Sequence, residues 1–112
     1  MKKKLKTELL SLYSDEGPER VGFIVAGKIH ETLNISPEPS KQFMVPAEDI
    51  LKYLISGKAT ATFHTHPNGT CNLSVDDYTA FLNYPEIQHI IIGKDGIRVY
   101  GVYDGAVIHQ ED

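Results

Sequence analysis

Seven short runs rich in β-branched and aromatic residues, most of them closed by a turn dipeptide or a proline, limit what this chain can become. Residues 21–26 read Val-Gly-Phe-Ile-Val-Ala and residues 87–92 read Ile-Gln-His-Ile-Ile-Ile. Runs this apolar belong to strands buried on both faces. Residues 29–35, 42–45, 59–66, 97–103 and 106–109 complete the predicted strands. Gly27-Lys28, Asp95-Gly96 and Asp104-Gly105 supply turns between neighbours, so several strands are expected to pair as hairpins.

Three segments carry a helical period instead. Residues 5–13 bring Leu5, Leu9, Leu12 and Tyr13 to one face, and Gly17-Pro18 stops them. Pro46 suits a first helical position, and Ile50, Leu51, Leu54 and Ile55 repeat up to Gly57. A third helix is predicted from Ser74 to about Asn83, ended by Tyr84-Pro85. The expectation is an α+β fold: one mixed, mostly antiparallel sheet flanked by about three helices. The 112 residues suffice for one domain, 1–112, with a core of its own.

Composition excludes several classes. A net charge of −4 argues against a general nucleic-acid binder. The basic cluster Lys2, Lys3, Lys4 and Lys6 is followed by Glu8, Ser11 and Ser14 rather than an apolar run, so it reads as a solvated helix and not a secretory signal. No stretch approaches membrane-spanning length. The one cysteine, Cys71, cannot form an internal disulfide and fits a reducing, cytoplasmic setting. It lacks a base partner for nucleophilic work and reads as a packed loop residue. His30, His89 and His109 have no partners at ligand spacing and read as structural or surface residues.

The chemistry concentrates in residues 64–77. Alternate residues of a strand point the same way, so His64 and His66 can aim two imidazoles at one point. The chain then turns through Pro67-Asn68-Gly69 and opens a helix at Ser74, with Asp77 in its first turn. Two imidazoles and a carboxylate with an open fourth position make the donor set of a catalytic zinc site. Ser74 and Asp77 also have capping-box spacing, and both roles are compatible.

This string resembles the signature of the JAMM (MPN-type) metalloproteases: H-[ST]-H-P, six residues, then S-x-x-D. Cys71 and Leu73 also stand where several members of that family have them. The family carries an earlier glutamate in an E-x-x-G context, matched by Glu19-Arg20-Val21-Gly22. The residues alone do not choose among Glu16, Glu19 and Glu31; the resemblance selects Glu19.

It implies that His64, His66 and Asp77 hold one Zn2+ with water in the fourth position. It also implies that Glu19 shuttles a proton and that Ser74 donates to the oxyanion. The implied activity is hydrolysis of a peptide or isopeptide bond after a flexible protein tail, such as that of a ubiquitin-like carrier or a phage tail-assembly protein. The chain is as short as the prokaryotic and phage members, without the insertions that grip ubiquitin. The alternative is a non-catalytic interaction or assembly module that retains the metal site. No membrane or nucleic-acid partner is expected, and the oligomeric state is left open.

Overall fold

In the computed structural model, which describes residues 1–110, six strands form one sheet in the order β2-β1-β3-β4-β5-β6. The strands are β1 (Val21–Val25), β2 (Lys28–Thr32), β3 (Ala61–Thr65), β4 (Gln88–Gly93), β5 (Gly96–Tyr103) and β6 (Ala106–Gln110). Only β3 and β4 run parallel, joined through helix α3 (Val75–Leu82); every other neighbouring pair is antiparallel. The chain is therefore a compact α+β globule with a mixed, mostly antiparallel sheet and three helices. Among the described residues, no helix is long and apolar enough to cross a membrane.

Strand alternation divides the core. Ala61, Phe63, Ile90, Ile92 and Val99 face helix α1 (Lys3–Leu10), whose Leu9 is fully buried among them. The intervening Ile91 and Tyr100 pack with Phe81 of α3 on the other side. Phe23 stacks on Tyr53 of the second helix, with ring centroids 4.9 Å apart. Both faces of the sheet are thus covered, as its unbroken apolar strands require.

Gly22 fits this layering because a Cβ there would come within 2.7 Å of the Phe63 ring. The bare backbone lets β1 lie against β3 with Phe63 between the layers. That pairing sets Val21 opposite His64.

Five expectations are corrected. Residues 42–45 do not form a strand, and β2 stops at Thr32 rather than at residue 35. The cause is Asn34. Its Nδ2 donates to the carbonyls of Glu19, Pro39 and Gln42 at 2.9, 3.2 and 3.0 Å, and its Oδ1 accepts from the N–H groups of Ser36 and Met44, both at 3.1 Å. One side chain thus takes the place of a ladder, which an Asn does more readily than other residues.

The second helix starts as a short α-helical turn, Ala47–Asp49, with Pro46 as its N-cap instead of its first residue. It continues as a π-helix, Ile50–Ile55, in which Ser56 N–H reaches back to Leu51 O at 3.2 Å; we call the whole element α2. Helix α1 ends at Leu10, short of the expected residue 13. The first hairpin turns at Ala26-Gly27, both with positive φ, one residue earlier than expected.

Candidate metal centre

Thr62, His64 and His66 follow one another on the same side of the sheet, where β3 runs out into the loop 66–73. His64 is almost wholly buried, and the ring of Phe43 lies 4.8 Å from its own. His66 is half-buried at the rim. Their Nε2 atoms are 3.0 Å apart.

Asp77 comes in from α3. Ser74 caps that helix through its Oγ, which accepts from Asp77 N–H at 3.1 Å, and Asp77 Oδ2 accepts from Ser74 N–H at 3.0 Å. The reciprocal pair fixes the Asp77 carboxylate as well as the helix start. Asp77 Oδ1 stands 3.0 Å from His64 Nε2, and its Oδ2 stands 3.2 Å from His66 Nε2.

Glu19 enters from the segment that leads into β1. Its N–H donates to Pro39 O at 2.6 Å, and next to it Arg20 is pinned to the end of β3. Arg20 N–H donates to Thr65 Oγ1 and Thr65 N–H donates to Arg20 O, both at 2.9 Å. Glu19 is buried, and its carboxylate comes within 4.8 Å of both imidazole nitrogens, farther out than Asp77. The other two acids weighed from sequence lie elsewhere: Glu31 grips Arg20 with two hydrogen bonds of 2.6 and 2.8 Å, and Glu16 is exposed.

Glu19, His66, Ser74 and Asp77 line one open cleft of about 410 Å³, with Lys41, Gln42 and Phe43 on its other wall. Four of the five residues singled out from the sequence therefore line it, and the fifth, His64, lies behind them with its Nε2 3.0 Å from both His66 Nε2 and Asp77 Oδ1. Glu19, His64 and His66 form a group able to hold a metal ion. The sequence pointed to Asp77 instead of Glu19 as the third donor, and the spacing of Asp77 from the imidazoles also suits an ion. Arms of 2.0–2.1 Å about a tetrahedral centre imply ligand separations of roughly 3.3 Å, close to those between the imidazoles and Asp77.

The tautomer of His66 agrees. Its Nδ1 lies 2.8 Å from the carbonyl of Thr70, which can only accept, so Nδ1 carries the proton and Nε2 faces the cleft with its lone pair. His64 Nε2 stands 3.0 Å from that nitrogen and 3.0 Å from Asp77 Oδ1, so a proton or a cation can be shared at this point.

The ionisation of the group follows from its setting. Burial opposes charge on Asp77, but the imidazole hydrogen bonds, the charge of His64 and the Ser74 N–H outweigh it and hold its carboxyl far below the usual range. Burial lowers the pKa of His64. Burial works the same way on His66, yet its bonds to Asp77 and Thr70 and the two nearby carboxylates raise its pKa overall. Burial pushes Glu19 up to about 7, helped by Asp77 and opposed by His66.

Sequence reasoning did not find Thr70, whose contribution is a backbone carbonyl, or Phe43, which it placed in a strand. It read His89 and Cys71 as structural, and their contacts agree. His89 Nε2 faces Tyr84 O at 2.9 Å and its Nδ1 faces Thr62 Oγ1 at 2.8 Å, so both nitrogens are satisfied. Burial pushes the Cys71 thiol up, keeping it protonated at neutral pH. Compared with known proteins, the chain matches no family profile and no curated sequence.

Proposed function

We propose that this chain is a zinc-dependent metallopeptidase or isopeptidase of the JAMM (MPN) type. The observation that supports the reading is that Glu19, His66, Ser74 and Asp77 line one cleft, with His64 Nε2 against His66 and Asp77 at its back. His64, His66 and Asp77 would hold the metal. Zinc bound there supplies Lewis acidity and lowers the pKa of a water toward about 7.

The chain's own groups would do the rest. Glu19 sits beyond the ligand atoms, where its carboxylate takes a proton from the attacking water and returns it to the departing amine. A neighbouring dication pulls the Glu19 pKa below its metal-free value, leaving a carboxylate ready to accept at neutral pH. Ser74 Oγ already accepts from Asp77 N–H, so its hydroxyl proton is available to a developing oxyanion. Two imidazoles and one carboxylate also suit ferrous iron; a base and a hydroxyl donor facing the same cleft favour hydrolysis.

The substrate class is an extended protein tail. α2 runs into β3 across residues 56–60 and α3 into β4 across residues 83–87, neither with a long insertion. That favours a compact, ubiquitin-like or phage-type substrate over a large ubiquitin-gripping surface.

The test is metal titration together with turnover on peptide and isopeptide panels. About one zinc per chain and hydrolysis lost in Glu19→Gln with zinc retained are expected. Zinc bound with no turnover that depends on Glu19 would favour a non-catalytic module, and no zinc binding would end the reading.

A further inference from the structure

Behind the metal centre, on the far side of Phe43, lies a second recess of about 100 Å³. Its walls are almost wholly apolar. Ile50 and Leu54 of α2 form one side, Phe81 of α3 the other, and Phe23 of β1 the floor. The π-helical turn presents Ile50 and Leu54 inward while Leu51 and Ile55 stay exposed at 62% and 67%. π-helical turns concentrate at functional sites.

The polar groups in the wall are already spent. Thr62 bonds His89, and His89 bonds the Tyr84 carbonyl. Phe81 stacks flat on His89, with ring centroids 4.3 Å apart. The recess therefore offers an occupant no hydrogen bond and selects for an apolar group.

Its position gives it a purpose. Phe43 and Ala80 line both the recess and the metal cleft, so the two cavities adjoin at these side chains. The His64 ring forms part of the recess wall while its Nε2 faces Asp77. A peptide lying in the cleft would have one side chain within reach of this junction.

We infer that the recess binds one branched aliphatic side chain of the substrate, next to the bond that is cut, with Phe43 and Ala80 setting the size admitted. The volume supports the class. An apolar cavity of roughly 150 Å³ accepts benzene, so about 100 Å³ suits a valine or leucine side chain and is tight for phenylalanine. This inference rests on the peptidase reading, and its test separates the two.

The zinc-loaded Glu19→Gln protein is titrated by calorimetry with blocked pentapeptides Gly-Gly-Xaa-Gly-Gly, where Xaa is Ala, Val, Leu or Phe. The Leu and Val peptides are expected to bind at least ~10-fold tighter than Ala, the discrimination a fitted apolar pocket gives. In methyl spectra, Ile50 and Leu54 should shift on binding. Ala80→Leu fills the junction and should erase the preference with zinc stoichiometry unchanged; Ala80→Val is the milder form if folding suffers. Phe43→Ala should admit the Phe peptide.

Equal binding of Ala and Leu, no binding of any peptide, or a preference that survives Ala80→Leu and Ala80→Val would overturn the inference. Metal content and wild-type turnover are measured separately, so an aliphatic preference without hydrolysis would retain the pocket and remove the peptidase.

Discussion

His64, His66, Ser74 and Asp77 reach the candidate site through one short stretch of chain, whereas Glu19 and Phe43 reach it from segments held by distant partners. The first wall is built locally: strand alternation aims the histidines, Thr70 orients His66, and a capping box turns Asp77 inward. The second wall depends on β1 lying against β3, on the Arg20–Thr65 pair and on Asn34 tying the loop 33–46 together. On the proposed reading the local wall carries the metal donors, and the long-range wall carries the proton acceptor and borders the apolar recess. Metal binding and catalysis should therefore be separable by mutation.

The largest expected effect is on the local wall. Asp77→Ala removes a donor and one half of the capping box. Zinc affinity, read by competition with a chromophoric chelator, should fall beyond the ~10–100-fold typical of losing a group that only supports a ligand. The metal-free protein should also melt lower, because a helix cap contributes about 1 kcal/mol. Asp77→Asn keeps an acceptor for Ser74 N–H, so it should recover most of the melting loss and little of the zinc.

The same division explains what the sequence could reveal. His64, His66, Ser74 and Asp77 were legible because strand period, turn residues and capping chemistry all act over a few residues. The sheet was legible for the same reason: its strands are short apolar runs between turn residues. Glu19 could be told from Glu16 and Glu31 only through the family resemblance, because its burial depends on strand pairing across the sheet. Residues 42–45 looked like a strand because periodicity does not register that the Asn34 side chain will take up the hydrogen bonds. The π-helical stretch of α2 has the apolar spacing of an α-helix and could not be distinguished from one.

Gly22→Ala probes the long-range wall. The added Cβ would meet the Phe63 ring at 2.7 Å and would also crowd the backbone of His30. Overpacking of this kind costs about 1–3 kcal/mol, readable as a lower denaturation midpoint. If the walls are independent, zinc stoichiometry survives while turnover drops, because β1 carries Glu19 away from the histidines. Equal losses of zinc and turnover would show that the two walls move as one.

Gly93→Ala is the converse experiment. A Cβ on Gly93 would run into the backbone of Thr70 and Cys71 and stand 2.8 Å from Gly69 O. The loop is otherwise clamped to the β4–β5 hairpin: Cys71 N–H donates to Asp95 Oδ1 at 2.8 Å, and Tyr100 OH donates to Cys71 O at 2.9 Å. Displacing it loosens the Thr70 carbonyl from His66 Nδ1. Zinc should bind ~10–100-fold more weakly, while the Glu19 wall and the aliphatic preference of the recess stay in place. An unchanged zinc affinity would mean that Thr70 does not orient His66.

Acid gives the smallest and most graded separation. Zinc needs both Nε2 atoms unprotonated, and His66 is the one whose pKa is raised above 6.5. Below that pKa each bound zinc displaces one proton, so affinity should fall about tenfold per pH unit. Asp77 stays ionised throughout, and burial shifts His64 toward its neutral form.

The metal-free protein should show the opposite slope. Glu19 is raised from 4.5 to about 7, and His66 is raised as well, so the fold holds more protons than the unfolded chain between these values. Stability is then fully present below pH 4.5 as far as Glu19 is concerned, and below 6.5 as far as His66 is concerned. It is lost as pH rises through about 7 and through the raised His66 value. Melting curves from pH 6.5 to pH 8, above the range in which the lowered His64 and His89 act the other way, should descend in chelator and ascend in excess zinc. Glu19→Gln should flatten the metal-free descent near pH 7 yet leave the zinc-bound ascent intact, because the proton lost in that ascent belongs to His66, on the other wall.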